Sequence, residues 1–531
     1  MASDAERAPA APGAALVAVL CVLAFYCGAF CALDSLPYQD VPNHLSRAVA
    51  IADLLFDGGH RYGGTFSFDW QFVPYILGDA WHAVTLAVLR PSVAGRLWIL
   101  VAFLSFPAAT WALLAVWGAR PVVRAAGAAF AIFLSADWFL RLGFLNFRYG
   151  LALALFGTVA WERLDHRRTP GRWATYLALV VACYLMHLSA LVFLVAIVGT
   201  LSAVRVLEDR RVATVLRYAA AGLAPLALLG YHLAFGTGAE TGAARQPAAL
   251  VKLGRIGAAL APSREPADIV AALLYMLAIA APLAWLLVRS RGRGWPRPAR
   301  EAFLLAIAFF GVYLVLPEIK GEVWGVDVRA LPFVWLFAAL AMLLALDGGV
   351  GRGAGPWPAT PVRAALGAAL AVAVVHLVAI GGHLAADNAA LGRYRALAAR
   401  LPGGSLVLSV ATWPRRGVVS PTAHAASWAV VDRAVVMPYT FAGNLDAPMT
   451  YFNFRHRPPP FPWQWWYVNH DPIVPRPQLL DGYQFLLVQQ PIDWRRLPAR
   501  IDLVASNDVV ALLRLRGAIP DRTAEAPQGT R

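Results

Sequence analysis

The residues best suited to chemistry in this chain are a carboxylate and an imidazole four positions apart, Asp40 and His44. That spacing places both side chains on one face of a helix. A carboxylate beside an imidazole can take the proton of a hydroxyl, or hold a metal ion. A plainer role competes with this one: Pro42 suits the first turn of a helix, so Asp40 equally reads as its N-cap. The D-x-x-x-H pattern is weak by itself. What raises it is its place, just after the first long apolar block, in a loop of about 60 residues holding the further acids Asp34, Asp53, Asp57, Asp69 and Asp79. Loops of that length without an evident fold of their own are usually functional.

Other polar residues gather at the ends of apolar blocks. Asp137 is followed by Arg141 and Arg148, His187 sits between two blocks, and Glu318, Lys320, Glu322, Asp327 and Arg329 crowd one short loop. Each alone reads first as an anchor, because long charged side chains at span ends reach the interface cheaply. Together they fall on one side of the membrane, and no comparable acidic set is expected on the other. His424, His456 and His470 have no metal-like spacing and read as surface residues. The aromatic run Tyr451–Asp471, with Trp463, Trp465 and Trp466, reads as a loop resting on the bilayer, with sugar stacking as the alternative. No P-loop, dinucleotide fingerprint, nucleophile elbow or zinc motif is present.

The elements that must position these residues are membrane spans. Of 531 residues 59% are hydrophobic and 15% charged, against about 25% charged in soluble domains. This excludes an ordinary soluble enzyme, a disordered chain and a fibrous one. The net charge of +15 is almost all Arg, placed in short loops between apolar blocks, where it sets membrane orientation rather than binding nucleic acid. The four cysteines lie in apolar stretches and build no disulfide framework.

After a polar head, Met1–Pro12, eleven blocks are long and apolar enough to read as spans. They are Gly13–Leu33, Val93–Trp117, Ala125–Phe139, Tyr149–Trp161, Trp173–Met186, Ala190–Val204, Val212–Leu233, Ile269–Val288, Ala302–Leu316, Ala330–Leu346 and Ala364–Leu384. The first is read as a retained span, not a cleaved signal. Gln71–Leu89 carries Pro74, Asp79 and His82 and reads as a helix lying flat on the surface, as does Asn43–Phe56. One set of alternate loops holds 17 Arg, while the other, about twice as long, holds 11 Arg or Lys. The first set is expected inside, which puts the N-terminus in the cytoplasm and the long loop 34–92 outside. The domain plan is thus a head at 1–12, a membrane domain at 13–384 and an extracytoplasmic domain at 385–531. The last reads as a small α/β unit, with strands at Ser405–Val410, Phe485–Gln489 and Val509–Leu515 and a helix at Thr422–Val431.

This layout resembles the GT-C superfamily of polytopic glycosyltransferases, in an uncharacterised bacterial branch. Asp40-Val-Pro-Asn-His44-Leu is similar to the acidic first-loop motif of bacterial members, and Pro74–Leu97 to the flat helix leading into their second span. Asp137 falls where such enzymes often carry a second acid. The resemblance implies an all-α polytopic membrane domain of about eleven helices with a small C-terminal α/β domain. It implies transfer of a sugar from a polyprenyl-phosphate donor, within the membrane, to a glycan, lipid or protein acceptor outside, in the bacterial inner membrane. Asp40 would be the general base and His44 would orient it or bind phosphate. Asp40 with Asp137 could instead hold a divalent metal ion, whose presence stays open. Arg329, Lys320, Arg141 and Arg148 would bind the donor phosphate, and Asp34, His187 and Asp327 are further site candidates. A transporter or flippase, and a non-catalytic assembly protein, are the alternatives.

Overall fold

The computed structural model describes residues 13–235, 244–261, 265–290, 294–320, 323–348, 360–411, 419–438, 440–442, 451–456, 480, 482–496 and 501–516. The run containing Trp463, Trp465, Trp466 and His470 lies outside them, as does Glu322.

The chain opens with α1 (Ala14–Cys31), then the loop helix α2 (Val41–Phe56), a short strand β1 (Phe66–Phe68) and α3 (Ile76–Val88). The bundle continues with α4 (Pro91–Val116), α5 (Pro121–Ser135), the one-turn α6 (Trp138–Leu142), α7 (Leu145–His166), α8 (Pro170–Met186), α9 (Leu188–Asp209) and α10 (Val212–Phe235). A small connecting region holds β2 (Ala244–Arg245) and α11 (Ala249–Leu253). Then come α12 (Pro266–Ser290), α13 (Arg297–Val315), the hairpin β3 (Ile319–Lys320) and β4 (Val323–Trp324), α14 (Leu331–Asp347) and α15 (Thr360–Ala398). The C-terminal part carries β5 (Val407–Val410), α16 (Ser427–Arg433), β6 (Phe452–Phe454), β7 (Phe485–Gln489), β8 (Ile501–Ser506) and β9 (Val510–Leu515).

Among the described residues nine helical segments are long and apolar enough to cross a membrane. The expected eleven differ from these by α7 and α8. At 22 residues α7 is long enough, but it carries Arg148, Glu162, Arg163 and Asp165, and α8 has only 17 residues. α7 packs inside the bundle against α4, α8 and α9, while α8 buries one face and leaves the other exposed. The chain is a multi-pass membrane protein. α3, with 13 residues, is too short to span, as expected of a flat helix. α14 is apolar all round and almost wholly buried, which marks the centre of the bundle. Prolines open α4, α5 and α8 at their first turns, where no backbone N–H is missed.

α15 has 39 residues, about 58 Å at 1.5 Å per residue. That exceeds the hydrocarbon thickness, and the helix continues without a break past position 384 to pack against α16 and β9. The C-terminal sheet has the order β5-β7-β9-β8, with β5 and β7 parallel and the others antiparallel. Three of its strands match the expected ones. β8 escaped notice because its residues are mostly exposed and give no buried run. β1 and β6 pair antiparallel, Ser67 opposite Asn453, which stitches the loop after α1 to the C-terminal part.

One expectation needs correcting. The end of the bundle far from α2 does hold an acidic set. Arg205 is buried there between Glu162 (2.6 Å), Asp165 (3.2 Å) and Glu301 (3.0 Å), with its guanidinium 4.6 Å from the Trp161 ring centre. Glu162 and Asp165 lie on α7 and Glu301 on α13, and they meet around Arg205 only when α7, α9 and α13 assemble.

Candidate functional site

The site is built on the first turn of α2. Asp40 occupies the cap position, but its carboxylate makes no capping hydrogen bond. The competing structural role is therefore unfilled, and the carboxylate is turned elsewhere. The backbone is held from below by the turn joining α6 to α7: the Gln39 and Asp40 N–H groups donate to the carbonyls of Arg141 (3.2 Å) and Leu142 (2.9 Å). Gly143 makes that approach possible. Its φ is +79°, and a Cβ there would stand 2.9 Å from the backbone nitrogens of both Asp40 and Val41.

The partner of Asp40 comes from the C-terminal part, and it corrects a second expectation. His424 is not a surface residue: it is buried, with its Nε2 3.2 Å from Asp40 Oδ1. Its Nδ1 lies 3.1 Å from Asn43 Nδ2, and the Ser427 hydroxyl donates to Asn43 Oδ1. The Ser427 contact makes Oδ1 the acceptor and Nδ2 the donor of Asn43. His424 then accepts at Nδ1, so its proton sits on Nε2 and is donated to Asp40. A lone histidine in an alanine-rich stretch gives no sequence signal for this. Of the other expected surface histidines, His456 is exposed.

His44 follows one turn after Asp40, as its spacing required, and its own N–H donates to the Asp40 carbonyl at 2.9 Å. The ring sits 5.5 Å from Phe441 and 6.0 Å from His82, and its buried Nδ1 has no hydrogen-bond partner among the described residues. Burial pushes its pKa down, Arg47 and His424 add to this, and Asp40 and Asp79 oppose it. His82 is fully buried, stacked on Trp98 at 3.9 Å, and held well below its ordinary pKa by burial and then by His44 and Arg47. Beside them Arg47 and Asp79 form a buried ion pair, and Tyr451 donates to Asp79 at 2.9 Å. Arg47 also donates to the Phe441 carbonyl at 3.1 Å. The C-terminal part thus closes over α2 through His424, Ser427 and Phe441, and over α3 through Tyr451.

Asp137 and Arg148 form a buried ion pair of 3.0 Å across the α6–α7 turn. Asp137 caps α6 by accepting from Leu140 N–H, and Arg148 donates to the Leu134 carbonyl at 3.0 Å. Arg141 reaches to α15, 2.8 Å from Asp387, and to the Pro37 carbonyl at 3.2 Å. On the far side of the turn, Arg329 lies over the rings of Phe144 (5.5 Å) and Phe147 (5.6 Å) and 3.3 Å from His187 Nε2. Ser189 N–H also donates to His187 Nδ1 at 3.1 Å. A neutral imidazole accepts at only one nitrogen, so it cannot satisfy Ser189 and Arg329 together. Burial and Arg329 both push His187 well down, toward that neutral form.

The Asp40 backbone thus abuts Gly143, and the Arg329 guanidinium abuts the ring of the next residue, Phe144. Asp327 caps the turn before α14 and pairs with the buried Lys252 at 3.3 Å, a cation the sequence did not single out. Lys320 is exposed on β3, and Asp34 pairs with Arg96 at an exposed position, both apart from the cluster around Asp40. Among the described residues no group of three His, Cys, Asp or Glu side chains is placed to hold a metal ion.

No family model matches the chain, and no curated protein does. A solved structure does: ArnT from Cupriavidus metallidurans, crystallised bound to undecaprenyl phosphate. It aligns over 96% of this chain and 100% of its own, with a TM-score of 0.52 and 14% sequence identity. The chain therefore has the ArnT fold, the architecture expected of the GT-C layout.

Proposed function

We propose that this protein is a membrane glycosyltransferase that moves a sugar from a polyprenyl-phosphate donor to a hydroxyl acceptor. The observation that carries the reading is the state of Asp40. Its carboxylate is not spent on capping, and it receives the His424 proton at one oxygen. The bound undecaprenyl phosphate of the similarly folded ArnT supports the donor class.

In this reading Asp40 takes the acceptor hydroxyl proton as the oxygen attacks the anomeric carbon. The carbon–oxygen bond to the donor phosphate breaks, its electron pair leaves with the lipid phosphate, and the configuration inverts. Arg329 stabilises the charge that develops there, through a planar fork suited to phosphate oxygens. Lys320 meets the donor from the β3–β4 hairpin. His424 is a positioning residue that fixes Asp40. Asp137, Arg148 and Arg141 hold the α6–α7 turn, and His44 orients Asp40 or binds the donor phosphate. Arginine bias between alternate loops supports a cytoplasmic N-terminus and an outward-facing site in a bacterial inner membrane. The acceptor is a glycan, lipid or protein on that side.

The test is transfer itself. Purified protein in vesicles should incorporate radiolabelled sugar from a polyprenyl-phosphate donor into an added acceptor. Counterflow of sugar or lipid without any new glycosidic bond would instead identify a transporter.

A further inference from the structure

A second site lies at the opposite end of the bundle, in a groove between α7 and α8. The two helices are antiparallel neighbours, and the groove encloses about 470 Å³. On α7 its wall is Phe156, Val159, Ala160 and Arg163, one stripe at helical spacing. On α8 it is Arg172, Thr175 and Leu179, again one stripe. Each stripe runs seven residues, about 10 Å. Because the helices run in opposite directions, Arg163 at the end of one and Arg172 at the start of the other fall at the same mouth of the groove. The apolar residues fall together toward the membrane interior. The groove is thus cationic at the loop end and apolar at depth.

The charges of the connecting turn are sorted in the same sense. Its acids face inward: Glu162 accepts from Arg205 and from Trp117 Nε1 (2.9 Å), and Asp165 from Arg205, Arg217 and the Tyr218 hydroxyl (3.1 Å). Arg163, Arg167 and Arg168 face outward. Arg172 is half-buried and donates to the Arg163 carbonyl at 2.6 Å, which fixes it at the mouth. Trp173, half-buried beside Arg168, marks the headgroup layer.

We infer that this groove binds one anionic glycerophospholipid, its headgroup phosphate between Arg163 and Arg172 and an acyl chain along Phe156, Ala160 and Leu179. The order of charge and apolar surface along the groove matches the order of phosphate and chain in such a lipid, and a free phosphate ion would leave the apolar depth unfilled. The site lies outside the machinery built around Asp40 and does not depend on the reaction assigned there.

Native mass spectrometry of the full-length protein in detergent, titrated with phosphatidylglycerol, phosphatidylcholine or inorganic phosphate, tests this. The tightest site should prefer phosphatidylglycerol. The double variant Arg163→Gln/Arg172→Gln should weaken it by roughly tenfold or more, from the loss of two interfacial cations. Ala160→Trp, which fills the apolar depth and keeps both charges, should weaken it comparably, while Arg167→Gln, outside the lining, should leave it within about twofold. Unchanged phosphatidylglycerol binding in the double variant would overturn the assignment. So would an equal loss in Arg167→Gln, which would mean diffuse attraction, or displacement of the lipid by inorganic phosphate.

Discussion

His424 places its Nε2 3.2 Å from the carboxylate of Asp40, joining the C-terminal part to the first turn after the first span. The chain Ser427–Asn43–His424–Asp40 fixes both the position of the carboxylate and the tautomer of the imidazole.

Replacing His424 therefore tests positioning. A hydrogen bond to a charged group contributes about 1.5–3 kcal/mol, so His424→Phe should lower kcat by roughly 10- to 100-fold with donor and acceptor KM little changed. His424→Gln, which keeps an N–H donor, should recover part of this. Equal kcat in wild type and both variants, measured by sugar transfer, would remove the contact from the chemistry.

Arg329 should matter for the donor. Arg329→Ala is expected to raise the KM for the polyprenyl-phosphate donor by about tenfold or more, and the acceptor KM far less, because a charge-assisted phosphate contact is lost. Arg329→Lys, which lacks the planar fork, should fall between. An unchanged donor response would make Arg329 an anchor for Phe144 and Phe147.

The Asp137–Arg148 pair is expected to act through stability. Removing one partner of a buried ion pair leaves an uncompensated charge and costs about 3–5 kcal/mol. Asp137→Asn should lower the unfolding midpoint in detergent, and Asp137→Asn/Arg148→Met should restore most of it. A single variant as stable as wild type would show that the pair does not hold the turn.

Acid should weaken the outer-loop assembly. His82 is buried and His44 half-buried, and burial holds both pKa values below the ordinary 6.5. Between those lowered values and 6.5 the unfolded chain binds more protons than the folded one, so this contribution is complete above about 6.5 and is lost as pH falls below it. The unfolding midpoint should drop between pH 7 and 5, and His82→Phe, stacked on Trp98, should flatten the drop. A midpoint rising toward pH 5 would contradict burial of neutral rings.

Much of this was legible before any coordinates, and for identifiable reasons. Nine of the spans, the short α3 and the α2 face follow from hydropathy and helical spacing, which are local. Asp40 stood out because Pro42 and His44 fix its place on α2. His424 was invisible because its meaning depends on Asn43 and Asp40, brought near only by the stitching of β1 to β6 and the packing of α16 on α2. Lys252 and the acids around Arg205 were missed for the same reason: each is one charge in a short loop until its neighbours assemble. Asp40 also shows how geometry separates two readings that spacing cannot, since a capping carboxylate and an available one look alike in sequence.

The central claim is that the Asp40 carboxylate is the base. Sugar transfer from a polyprenyl-phosphate donor should be compared between wild type and Asp40→Asn, a change of one atom that keeps the fold. A fall in kcat of about 10² or more, with membrane insertion and unfolding midpoint unchanged, is the expected result. Transfer by Asp40→Asn at the wild-type rate would contradict it.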